Sequence, residues 1–125
     1  MSLANHLFKT KIGEITTELN SIRSKTNILI TSDRRELEKL KESYYWTSEE
    51  VQLILKRMLK EKPPEVLKEP YNCICDGLIG VIAGIEIIVR SIDVKNCRIN
   101  GELKTIGEEI IEKDIQILKE NINAE

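Results

Sequence analysis

Two long heptad seams in the first half of the chain constrain its fold more than any other feature. In each seam, apolar side chains and one threonine recur at alternating spacings of four and three residues, the period of an amphipathic helix. The first seam predicts a helix over about residues 4–30, and the second predicts one over about residues 33–62. The first comprises Phe8, Ile12, Ile15, Leu19, Ile22, Thr26 and Leu29, and the second Leu37, Leu40, Tyr44, Thr47, Val51, Ile54 and Met58.

The turn between the two seams is short, so residues 1–62 are expected to form a long antiparallel helical hairpin. Thr47 and Glu50 could make a capping box and start a new helix, which leaves open whether residues 33–62 are one helix or two. The unbroken seam favours one helix. Pro63-Pro64 is expected to end it, because proline has no amide donor and restricts the residue before it.

A proline-bounded linker over residues 63–70 separates this hairpin from a second helix pair over residues 71–125. The third helix is predicted over about residues 71–94. The fourth covers residues 101–122, and its predicted apolar stripe comprises Leu103, Ile106, Ile110, Ile111, Ile115, Leu118 and Ile122. Residues 97–104 could instead form a short β-hairpin around the Asn-Gly pair.

Together these segments predict a single helical domain over residues 1–125. Its fold class is all-α: an antiparallel four-helix bundle with a long N-terminal helical hairpin and an apolar third helix.

The third helix is apolar around most of its circumference, so it must be covered by the chain's own helices or by another molecule. Gly77, Gly80 and Gly84 lie within it, and each costs about 1 kcal/mol relative to alanine in a helix interior. Close approach of a neighbouring helix would offset that cost. The neighbour could be the first or second helix of the same chain, or a second copy bound across Gly77, Gly80, Gly84 and Ile88.

Tyr44, Tyr45 and Trp46 are three of the five aromatic side chains in the chain. Consecutive helical positions differ by about 100° in direction, so at least one of these rings should be exposed or sit at a helix break. Exposed Tyr and Trp side chains are frequent anchors at protein interfaces. We therefore include all three among the candidate interface residues.

Composition argues against several classes of partner. The chain has 41% hydrophobic and 32% charged residues and a net charge of −2, so it has no overall attraction for nucleic acid or anionic membranes. Its three cysteines are an odd number, which indicates reduced thiols, and its first residues do not look like an export signal, so a cytoplasmic location is expected. The longest nearly apolar run, residues 77–89, is too short to span a membrane.

No motif predicts a catalytic, metal or cofactor site. Cys73 and Cys75 would point about 200° apart on a helix, so they would not share a zinc ion. Glu108, Glu109 and Glu112 resemble the EExxE motif of all-α nucleotide pyrophosphohydrolases, in which carboxylates hold magnesium against a triphosphate. That family needs a second acidic motif on a following helix, which is missing here.

These observations predict a non-enzymatic helical interaction module that acts by self-association, as a homodimer, or by binding a partner protein. Two alternatives remain open. One is a small nucleic-acid-binding regulator that uses the basic residues of the second helix. The other is a magnesium-dependent nucleotide hydrolase that uses carboxylates such as Glu86, Glu108 or Glu112.

Overall fold

The computed structural model describes residues 3–28, 34–60 and 65–122, with side chains at 10–23, 34–60, 65–66 and 68–121. Four α-helices make up most of these residues: α1 (Leu3–Ile28), α2 (Arg34–Lys60), α3 (Lys68–Ser91) and α4 (Gly101–Ile122). A 3-10 turn, Glu65–Leu67, precedes α3. Two-residue strands, β1 (Ile92–Asp93) and β2 (Arg98–Ile99), lie between α3 and α4. The predicted all-α class with four helices is confirmed.

The second seam forms one continuous helix, α2, and all seven of its residues are buried. The hydroxyl of Thr47 donates to the carbonyl oxygen of Ser43 at 2.9 Å, so it bonds back along the same helix and does not cap a new one. In α1 the described seam residues, Ile12, Ile15, Leu19 and Ile22, are buried. The predicted turn at residues 31–33 and the Pro63-Pro64 stop lie outside the described residues.

The bounds of α3 differ from the prediction at both ends. It begins at Lys68, so Pro70 lies in its first turn, where a missing amide hydrogen costs no helical hydrogen bond. It ends at Ser91, three residues earlier than expected. There the buried Ser91 hydroxyl donates to the carbonyl oxygen of Ile88 at 2.5 Å, and the amide of Asn100 donates to the Ser91 carbonyl oxygen at 2.7 Å.

The connection from α3 to α4 contains a β-pairing at a different place from the hairpin considered above. Strand β1 pairs antiparallel with β2, with Ile92 opposite Ile99. Asn100 does not turn a hairpin with Gly101, because its side-chain oxygen accepts from the amides of Glu102 and Leu103, at 3.1 and 3.2 Å. It is therefore the N-cap of α4, which explains why that helix begins at residue 101 as predicted.

The α3–α4 interface is the most extensive in the described chain. Helix α2 packs against both α1 and α3, whereas α1 makes only limited contact with α4. The predicted apolar stripe of α4 is wrong in its first half, because Leu103 and Ile106 are exposed. The line of Gly107, Ile111, Asp114 and Leu118 faces α3 instead.

Candidate interaction surface

The glycines of α3 accommodate α4. A Cβ atom added at Gly84 would lie 2.6 Å from Cγ1 of Ile111 and 2.9 Å from the carbonyl oxygen of Gly107. A Cβ atom at Gly77 would lie 2.9 Å from a methyl carbon of Leu118. Residues further along α3 meet residues earlier in α4, so these two helices run in opposite directions. The expectation that α1 or α2 fills the groove was wrong, since α4 fills it.

Gly107 on α4 is the counterpart of Gly84. A Cβ atom at Gly107 would lie 2.5 Å from Cγ1 of Ile88 and 2.7 Å from the carbonyl oxygen of Gly84. The two backbones therefore approach each other with no side chain between them. Only glycine at both positions permits this spacing.

Gly80 provides the space for a carboxylate. A Cβ atom at this position would overlap the side chain of Asp114. Burial raises the pKa of the Asp114 carboxyl, although the neighbouring Lys113 ammonium acts to lower it. All four α3 residues proposed as an interface, Gly77, Gly80, Gly84 and Ile88, therefore contact α4 of the same chain.

The three consecutive aromatic residues point in different directions in the middle of α2. Tyr44 is fully buried, whereas Tyr45 and Trp46 are 60% and 59% exposed. The prediction that at least one ring is exposed is confirmed. Of the seven candidate interface residues, Tyr45 and Trp46 are the ones that present a large apolar surface to solvent.

Leu53, which the sequence pattern does not single out, extends this exposed surface. It is 61% exposed and lies seven residues after Trp46, so both side chains project from the same side of α2. Because Leu53 lies outside the seam of α2, the sequence already indicated that its side chain would not face the core. We call this side of the helix the outer face of α2 and define it by Trp46, Glu49, Glu50, Leu53, Lys56, Arg57 and Lys60.

A groove of about 290 Å³ lies between α1 and α4. Its floor includes Tyr44, Ile88 and Ile111, so it reaches the core. An ion-pair cluster lies in its wall: Nε of Arg23 is 2.7 Å from Glu108, and Nη1 of Arg23 is 3.5 Å from Glu112. These pairs are part of the limited contact that joins α1 to α4.

Ion pairs with basic side chains also account for the position of Glu108, one of the carboxylates considered as a magnesium ligand. Glu108, whose side chain is 12% exposed, is held by both Arg23 and Lys104, the latter at 3.3 Å. Glu86 is exposed on α3. Among the described residues, no group of three or more His, Cys, Asp and Glu side chains is placed to hold a metal ion.

The three cysteines are free thiols. Cys75 is buried, and burial raises the pKa of its thiol, with a smaller contribution from the charge of Asp76. A raised pKa leaves less of the nucleophilic thiolate at neutral pH.

The apolar run 77–89 alone is too short to cross a membrane, but the whole of α3 (Lys68–Ser91) is, among the described helices, the one long and apolar enough to do so by length and composition. The central helix of a globular protein meets the same criterion, and the buried side of α3 packs against α2 and α4. Helices α2 and α4 thus cover part of the apolar surface of α3 that a membrane span would expose to lipid.

Comparison with known proteins gives no relative from which a role could be transferred. No protein-family model, curated protein or solved structure matches this chain.

Proposed function

We propose that this protein is a non-enzymatic helical interaction module that binds a protein through the outer face of α2. The observation that carries the proposal is the exposure of Trp46 and Leu53 on one side of a helix whose opposite side is buried. Trp is among the residues most enriched at the energetic centres of protein interfaces.

Burial of this surface would supply a substantial part of the free energy that binding requires. An aromatic side chain buries about 150–250 Å² when fully enclosed. Covering the exposed 59% of Trp46 would remove roughly 90–150 Å² from water, which is worth about 2–4 kcal/mol at 25 cal/mol per Å². Leu53 and Tyr45 would add to this, and polar residues around them keep the uncovered face soluble.

We further propose that the four helices form an antiparallel bundle that presents this face rigidly. The helix contacts support this arrangement: α1 packs on α2, α2 on α3 and α3 on α4, and α1 reaches α4. The opposite directions of α3 and α4 are as expected for such a bundle. A cytoplasmic location is part of the proposal and is supported by the free thiols.

A capture experiment with matched variants tests the proposal. The immobilised wild-type chain is incubated with an extract of the cells that produce it, and the retained proteins are compared with those retained by Trp46→Ser. Val66→Ser is the control, because Val66 is an apolar side chain that is 89% exposed but lies in the turn before α3. We expect Trp46→Ser to lose the retained partner and Val66→Ser to keep it. Equal retention by all three proteins would refute the proposal.

A further inference from the structure

Charged residues on the outer face of α2 lie at equal distances on either side of Leu53, with acidic residues before it and basic residues after it. Glu49 and Glu50 precede Leu53 by four and three residues, and Lys56 and Arg57 follow it by three and four. Each acid is therefore about 10 Å along the helix from the base on its own side, too far for an ion pair within the helix. Within the described residues, none of these four side chains forms an ion pair.

We propose that the partner of this face is a second copy of the same chain, bound antiparallel with a two-fold axis at Leu53. This inference rests on the proposed function and specifies its partner. In such a pair, residues equally far from Leu53 on opposite sides lie at the same level along the interface. Leu53 of one copy then packs against Leu53 of the other, and the acidic half of each face lies on the basic half of its partner.

The helical positions of the charges fit this arrangement on both sides of the contact. Glu50 and Arg57 are seven residues apart and therefore lie along one edge of the outer face of α2. Glu49 and Lys56, also seven residues apart, lie along the other edge. A two-fold axis keeps the two sides separate. It brings Glu50 to Arg57 and Glu49 to Lys56 of the second copy, each offset along the axis by one residue, about 1.5 Å. Four intermolecular ion pairs result.

Trp46 and Lys60 are also equally far from Leu53, at seven residues on either side. The antiparallel pair therefore places the Lys60 ammonium of one copy over the exposed indole of the other. A cation within about 6 Å of a Trp ring is attracted by the ring's quadrupole. This contact gives the exposed Trp46 ring a specific neighbour.

Charge complementarity is the reason for choosing a second copy over an unrelated protein. A surface that is its own complement under a two-fold rotation is the requirement for an isologous dimer. A parallel pair in register would place like charges side by side, so the antiparallel orientation is favoured. One helix from each copy buries less than the roughly 1,200 Å² of a standard stable interface. We therefore expect a weak dimer whose dissociation constant rises with salt.

Reversal of the charges tests this pairing. One variant is Glu49→Lys/Glu50→Lys and the other is Lys56→Glu/Arg57→Glu. Glu50, Lys56 and Arg57 are exposed and Glu49 is half-buried at the edge of the face, so the fold should tolerate these changes. Sedimentation equilibrium over a range of concentrations measures association, and the emission of Trp46, the single tryptophan, reports whether its ring becomes covered.

We expect the wild type to self-associate and each variant alone to show a dissociation constant raised at least tenfold. A one-to-one mixture of the two variants should recover wild-type affinity with a blue shift of Trp46 emission, because each acidic face then meets a basic one. A control pair with the same net charges, Glu102→Lys/Glu109→Lys and Lys95→Glu/Arg98→Glu, alters exposed positions off the face. Each control variant alone should self-associate like the wild type.

Two results would overturn the pairing: a wild type that stays monomeric at its highest soluble concentration, or charge-reversed variants that each associate as strongly as the wild type. If the wild type is monomeric but Trp46→Ser still loses a captured protein, the self-pairing is refuted and the proposed function stands. If the wild type is monomeric and capture is unaffected, both fail.

Discussion

The close approach of α3 and α4 makes a quantitative prediction about Gly84→Ala. In an open helix interior, Gly→Ala gains about 1 kcal/mol of stability from helix propensity. At Gly84 the new methyl group would lie 2.9 Å from the carbonyl oxygen of Gly107, a backbone atom that moves only if α4 moves. Overpacking of a buried contact costs about 1–3 kcal/mol, and a backbone clash belongs at the upper end of that range. The expected net effect is a loss of about 1–2 kcal/mol.

Gly13→Ala is the matched control, because a Cβ atom at Gly13 has no neighbour within 4 Å on the exposed side of α1. It should gain about 1 kcal/mol. For a chain of this length 1 kcal/mol corresponds to about 4 °C in Tm. The two variants should therefore shift Tm in opposite directions, measured by urea and thermal unfolding followed by far-UV circular dichroism.

A double variant tests the mechanism further. Gly107→Ala should also destabilise, because its methyl group would lie 2.7 Å from the carbonyl oxygen of Gly84. Once one alanine has separated the helices, the second has less to displace, so Gly84→Ala/Gly107→Ala should lose less stability than the two single losses combined. If Gly84→Ala is stabilising to the same extent as Gly13→Ala, the two backbones are not in contact and the reasoning is wrong.

Three further predictions concern polar groups. Asp114→Asn should be more stable than the wild type at pH 7 but not at about pH 3. The reason is that the pKa of Asp114 is raised in the folded state, so the wild type loses stability as the pH rises through that pKa. Urea unfolding at both pH values would measure the difference. Arg23→Ala should lose the ion pairs with Glu108 and Glu112, cost up to about 1 kcal/mol and speed amide exchange in α1, with unchanged exchange as the contrary result. Tyr71→Phe should cost about 1 kcal/mol in chemical unfolding, because the Tyr71 hydroxyl donates to the carbonyl oxygen of Met58 near the end of α2; an unchanged midpoint would count against that bond.

The sequence predicted best those parts of the fold that depend on a helix's own pattern. All seven seam residues of α2 are buried because an amphipathic helix has one possible buried side. The start of α4 was predicted at Gly101, although the hydrogen bonds that fix it come from the side chain of Asn100.

Features that depend on the relative rotation of two helices could not be predicted. α3 is apolar around most of its circumference, so its pattern did not say which helix would meet Gly80 and Gly84. Packing α4 against these glycines turned Gly107 inward and left Ile106 exposed, although an apolar stripe alone gives the opposite assignment.

The candidate surface was predicted in part. Consecutive aromatic residues must diverge on a helix, so at least one of the three rings was expected to be exposed. The structure shows that Tyr45 and Trp46 are the exposed ones. Leu53 was recognisable as an apolar residue outside the seam, but only its exposure in the folded structure joins it to Trp46. The acidic and basic residues around Leu53 indicate a two-fold interface only once Leu53 is known to be exposed.

The unequal helix contacts also have a consequence for the order of folding. α3 and α4 are joined by nine residues and share the most extensive interface, so this hairpin closes at low entropic cost and is expected to form early. α1 packs chiefly on α2 and is expected to open first under native conditions. Mutations at the α3–α4 contact should therefore slow folding, whereas truncation of Leu19 in α1 should chiefly accelerate unfolding.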